Sequence, residues 1–196
     1  MMEKNKGIVL RSYQPYTCKV VILDADFGKI TAVPHRQNMS NGLCITYYLQ
    51  EQPNIYFMKD IEIIDMPMAL GKEDILFVHH ILELCYYFIP MGGCASGIFP
   101  LLVKMYDSPH IFQSSLLKKI FLFQCFTVLG LYPEGRAFQD PFFIYLSTTS
   151  IDNLADQSVD LLRQAKLDRW LLHCISVHPC IEHFKTINFL HMHRVV

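Results

Sequence analysis

Residues 6–36 read KGIVLRSYQPYTCKVVILDADFGKITAVPHR. β-Branched residues fill the runs: Ile8, Val9, Val20, Val21, Ile22, Ile30, Thr31 and Val33. Such residues fit a pleated, half-buried surface. The breaks carry turn chemistry, at Gln14-Pro15 and at Asp26-Phe27-Gly28. Three strands are therefore predicted, over residues 7–14, 17–25 and 29–35, with a tight turn ending on Gly28. Asp24 and Asp26 flank that turn, and turn chemistry accounts for both.

The pattern continues beyond this stretch. Two more strands are predicted over 43–50 and 55–65, bounded by Asn41-Gly42 and Gln52-Pro53-Asn54. Ile45, Tyr47 and Leu49 alternate with polar or smaller neighbours, as a strand with one buried face requires. Five short strands in about 60 residues must bury one face and avoid free edges, and a small closed barrel of OB type does both.

At Pro67 the period changes. Ile75, Val78, Ile81, Leu82, Cys85, Phe88 and Ile89 follow a helical stripe, closed by Met91-Gly92-Gly93. Further helices are predicted over 96–106, 115–129, 158–177 and 180–190. Leu161, Leu162, Ala165, Trp170, Leu171 and Cys174 fall mainly on one side, the apolar side, of the helix over 158–177. Residues 134–157 read as a loop with a short extended piece. The expected fold class is α+β: an OB-fold barrel over 1–66 and an all-α domain over 67–196.

Composition narrows the function classes. The chain has 196 residues, 52% apolar and only 18% charged, which implies a packed globular protein. The greasiest run, IFLFQCFTVLGLY at 120–132, is shorter than the roughly 20 residues a membrane span needs. The start, MMEKNKG, has no apolar core after its charges. A cytoplasmic chain with no membrane association is expected. The seven cysteines are irregularly spaced with no CxxC pair, as in a reducing compartment.

Net charge is −1 but unevenly spread. Residues 1–36 hold Lys4, Lys6, Arg11, Lys19, Lys29 and Arg36 against Glu3, Asp24 and Asp26. The middle is acidic and the C-terminal stretch is again basic. Nucleic-acid binding can therefore rest on a local patch, not on the whole chain. Cations on strands most often serve solubility. On an OB barrel they commonly track a single strand together with aromatics. The candidate DNA contacts are Arg11, Lys19, Lys29 and Arg36 for phosphates, with Tyr13 and Tyr16 for base stacking.

Other constellations are weaker. Cys174, His178, Cys180 and His183 have metal-ligand chemistry, but Pro179 interrupts them and the spacing matches no common zinc site. His183, His191 and His193 with Lys185 and Arg194 read as a chain end. No phosphate-binding loop, nucleophile elbow, HExxH or paired-carboxylate signature stands out, so an enzyme is not expected. Neither cofactor nor metal is expected.

The chain resembles the RecO family of bacterial recombination mediators. KGIVLRS is similar to that family's first strand, VVILDADFGKITAV to its strand–turn–strand, and NIYFMKDIEIIDMP to its barrel-closing strand. LLKKIFLFQCFTVLGLYPEG resembles its long helix ending in an aromatic residue and proline, and CIEHFKTINFL its C-terminal segment. These pieces span nearly the whole chain in the family's order. The family's zinc-binding cysteines are replaced by EGRAFQDPF, and its basic cluster after the third strand is thinned to PHRQNMSN. The resemblance implies a DNA repair and recombination mediator. It would bind and anneal single- and double-stranded DNA and help load recombinase on strands coated by single-strand-binding protein. Implied partners are RecR and the C-terminal tail of single-strand-binding protein. The thinned basic cluster leaves an alternative, a non-catalytic protein–protein adaptor built on a degenerate OB-fold.

Overall fold

The computed structural model describes residues 3–13, 17–35, 38–53, 55–66, 72–93, 96–131, 140–154 and 159–192. The chain forms two compact units, Met1–Tyr106 and Asp107–Val196. The sequence reading divides the chain where strand gives way to helix, at residue 66. The first compact unit instead runs on through the first helix and most of the second.

In the first unit, β1 (Asn5–Ser12), β2 (Val20–Asp24), β3 (Gly28–Pro34), β4 (Cys44–Gln52) and β5 (Ile55–Asp65) form a closed barrel in the order β1-β2-β3-β5-β4. All pairs are antiparallel except β3 with β5. β1 pairs with both β2 and β4, so closure leaves no free edge strand. The interior is filled by Val9, Val20, Ile22, Ile30, Ala32, Met39, Leu43, Ile45, Tyr47, Met58 and Ile61. Tyr47 reaches across to Asp24, whose other oxygen accepts from the Asp26 and Phe27 backbone N–H groups, both at 2.8 Å. That bond pair closes the β2–β3 turn, with Gly28 at φ 70°.

All five residues of β2 are buried, on both faces. Period-two alternation sends Val20 and Ile22 inward and Val21 and Leu23 outward. Helix α1 (Lys72–Phe88) packs against β1 on the outside. In α2 (Ile98–Asp107), Tyr106 donates its hydroxyl to the Gly42 carbonyl at 2.8 Å.

The turn after α1 adds to the barrel wall. The Gly92 N–H donates to the Lys29 carbonyl at 2.7 Å, and the Lys29 N–H donates to the Gly93 carbonyl at 3.3 Å. These bonds satisfy the start of β3, before β5 takes over pairing at Ala32. Glycine is required twice here. Gly92 sits at φ 69°, and a Cβ on Gly93 would come 2.8 Å from the Pro90 carbonyl oxygen.

The second unit is helical. Its centre is α3 (Ser115–Val128), capped by the Ser114 hydroxyl and buried continuously from Leu117 to Phe126. Around it stand α4 (Pro141–Thr148) and α5 (Leu161–Ser176), with α6 (Thr186–Met192) against α5. Trp170 of α5 lies against Phe123 and Phe126, at ring distances of 5.0 and 6.0 Å. Lys119 and Asp168 form a buried ion pair at 2.6 Å between α3 and α5.

Three sequence expectations for this unit are corrected. The extended piece within 134–157 is helix α4, because Asp140 caps the Phe142 N–H and Pro141 occupies the first turn. The helix expected over 180–190 breaks at Phe184, leaving a single 3₁₀ turn, Ile181–His183, before α6. Leu161 and Leu162 are not on the buried side of α5. They are 70% and 69% exposed, while Leu167, Asp168, Leu171, Cys174 and Ile175 face inward. Asp160 caps this helix by accepting from the Arg163 N–H, so the first turn of α5 begins at the leucines.

Candidate functional site

The outer face of β2 and β3 carries a groove of about 470 Å³. It is lined by Tyr13, Thr17, Lys19, Val21, Lys29, Thr31, Tyr86 and Met91. Val21 and Thr31 are cross-strand partners, so they share one face of the sheet. Tyr13, Thr17 and Lys19 belong to the β1–β2 connection. Tyr86 comes from the last turn of α1, and Met91 from the turn that follows. Among the described residues the lining holds cations, aromatics, threonines and apolar side chains and no carboxylate.

Arg11 stands beside this groove. A bulge at Leu10 shifts the β1–β2 register between Val9 and Arg11. The guanidinium lies over two rings, 5.3 Å from the centre of Tyr13 and 5.0 Å from that of Tyr86. Cation–π contact and a hydrogen bond to Tyr87 together hold it in place. The two tyrosine hydroxyls share a hydrogen bond at 2.7 Å. Burial, then the neighbouring Tyr86, push the Tyr13 hydroxyl up to about 12.

Lys29, a candidate phosphate contact from sequence, lines the groove as a largely buried side chain. The residue is only 7% exposed. Its ammonium donates to the Tyr86 carbonyl at 2.6 Å and lies 5.2 Å from the Tyr86 ring centre. Tyr86 lies in the final turn of α1, where carbonyls lack intrahelical partners, so Lys29 acts as a C-terminal cap. Burial holds its pKa below the ordinary lysine value. Lys19, by contrast, is exposed.

Of the six residues singled out by sequence, Tyr13, Lys19 and Lys29 line the groove and Arg11 borders it. Arg36 and Tyr16 lie outside the described residues. Sequence reasoning missed Thr17, Val21, Thr31, Tyr86 and Met91. Tyr86 stands four residues after Leu82 and three before Ile89, so helical spacing puts it at the edge of the apolar stripe and nothing in the sequence marks it for the groove.

The Cys174–His183 segment takes a different form. Cys174 points into the helical unit, and burial pushes its thiol up to about 12. His178 accepts from the Cys180 N–H at 3.1 Å and stands edge-on to Phe184. His183 is paired with Glu182 at 3.7 Å. His191 is exposed in α6, and His193 and Arg194 lie outside the described residues. Among the described residues, no group of three or more His, Cys, Asp or Glu is placed to hold a metal ion. No helix among them is long and apolar enough to cross a membrane.

No family model matches the chain, and no curated protein matches it at a significant level.

Proposed function

We propose that the barrel is an OB-fold that binds single-stranded nucleic acid through the outer face of β2 and β3, and that the chain acts, without catalysis, as a DNA repair and recombination mediator of the RecO kind. The observation that carries this reading is the groove. Arg11, Tyr13, Lys19 and Lys29, from neighbouring strands and their connection, meet Tyr86 of α1 at one place, with no acid in the lining among the described residues. On OB barrels the strand 2–3 face and the adjacent loops take oligonucleotides. The strand order β1-β2-β3-β5-β4 with a parallel β3–β5 pair supports that identity. Annealing needs only a cationic surface that lowers repulsion between two phosphate backbones. Duplex DNA, RecR and the tail of single-strand-binding protein belong to this proposal as partners.

A second reading has its own support. Lys29 is buried and donates to the Tyr86 carbonyl, so it is less available to a phosphate than a cation on an outer strand face would be. A module of this kind can serve as a protein–protein adaptor. Fluorescence anisotropy on two unrelated oligonucleotides across a salt series separates the two. The mediator binds both alike, with affinity falling steeply as salt rises. An adaptor binds neither.

A further inference from the structure

We infer that the groove is a pocket for one unpaired nucleotide of a strand, with Tyr86 and Met91 as binding residues contributed from outside the barrel. The inference rests on the nucleic-acid reading above and makes it specific. A surface that follows a duplex backbone needs cations alone. This groove has an apolar component, Val21 and Met91, beside the Tyr13 and Tyr86 side chains. That is the lining of a ligand site, and its volume of about 470 Å³ falls within the usual range for one small ligand. A base stacked within its own duplex cannot enter such a pocket; an unpaired one can.

Charge agrees with this occupant. Lys19 lines the pocket and Arg11 borders it, where they meet the phosphates on either side of the held base. Lys29 adds positive potential, with one of its three N–H donors given to the Tyr86 carbonyl. The competing occupant, an extended peptide adding a strand, needs free backbone groups. At the start of β3 these are already taken by Gly92 and Gly93.

The test uses the full chain, a short labelled thymidine strand as probe, and two unlabelled competitors. One is a blunt-ended duplex of two fully complementary strands, the other the same duplex with a single unpaired nucleotide in one strand. The expected result is that the second displaces the probe at about ten-fold lower concentration than the first, the scale of one stacked base. Tyr86→Leu should bring that ratio close to one. Should Tyr86→Leu fail to fold by circular dichroism, Met91→Glu serves in its place. Met91 is 56% exposed, so the fold tolerates the change while a carboxylate at the pocket repels the strand. A parent ratio of one, or a ratio unmoved by the folded variant, overturns the pocket but leaves strand binding standing. Failure to bind the probe at all overturns both. Displacement of the probe by an acidic peptide better than by the bulged duplex overturns the nucleotide pocket and assigns the groove to a protein partner instead.

Discussion

Gly28 and Asp60 both have positive φ, at 70° and 48°, and the contrast between them is informative. Gly28 lies where the chain turns from β2 into β3, and a β-branched side chain resists that region. Gly28→Val should cost on the order of 1–3 kcal/mol in urea unfolding. An unchanged midpoint would show that the turn does not depend on glycine. Asp60 already bears the conformation, which short polar residues tolerate, so Asp60→Gly should be neutral or slightly stabilising. Asp24 is the other residue on which the turn depends. It is fully buried, it accepts from two turn N–H groups, and it receives the Tyr47 hydroxyl. Burial, then Asp24, hold the Tyr47 hydroxyl well above the usual tyrosine range. Asp24→Ala should cost about 3 kcal/mol or more, because it strands three donors. In a double-mutant cycle, Tyr47→Phe should cost clearly less on the Asp24→Ala background than on the parent. Additive losses would mean that the two groups do not act together.

At the scale of elements, α4 depends on its first turn. Asp140 accepts from the Phe142 N–H at 3.0 Å and faces Lys166 at 3.5 Å. The backbone bond, then Lys166, hold its carboxyl below the ordinary range. A depressed carboxyl stabilises the fold fully above its unfolded pKa, near 3.9, and that contribution disappears as pH falls through the lower folded value. Asp140→Ala should cost about 1 kcal/mol at neutral pH, and its deficit should shrink below that window. A deficit that persists in acid would point to a loss other than the cap. Between α3 and α5 the buried Lys119–Asp168 pair makes the opposite demand. Asp168→Ala leaves a buried ammonium and should cost roughly 3–5 kcal/mol. Replacing both partners, Lys119→Met with Asp168→Leu, should recover most of that loss. A double variant as unstable as the single one would argue against an unpaired charge as the cause.

For the whole molecule, a net charge of −1 makes any polyanion binding a matter of local arrangement. Lys19 is the exposed lysine of the groove. Lys19→Ala should weaken binding to unrelated sequences equally and lower the salt slope by about one, since a phosphate contact reads no bases. Stability should scarcely change, because exposed charges contribute little. A sequence-dependent loss would place Lys19 against base edges. Lys29→Ala should behave differently. It removes the cap of α1 and disturbs the seat of Tyr86, so thermal stability and binding should fall together.

The barrel was legible in residues 6–65 because its signals are local. Alternation of Ile45, Tyr47 and Leu49, the glycine at the β2–β3 turn and the Asp24 side chain act over a few residues, and five short strands need closure to remove their edges. Three of the eight lining residues, Tyr13, Lys19 and Lys29, were legible in the same local stretch, and alternation places Lys29 on the outer face of β3. What alternation cannot state is what covers that face. Only the tertiary structure brought α1 and its closing turn there, burying Lys29 against the Tyr86 carbonyl and adding Tyr86 and Met91 to the groove. Likewise Leu161 and Leu162 share an apolar pattern with the rest of α5, yet helix α3 covers only the later turns. Period and propensity fix which residues share a face. Whether that face meets water or another helix is decided by contacts between residues distant in the chain.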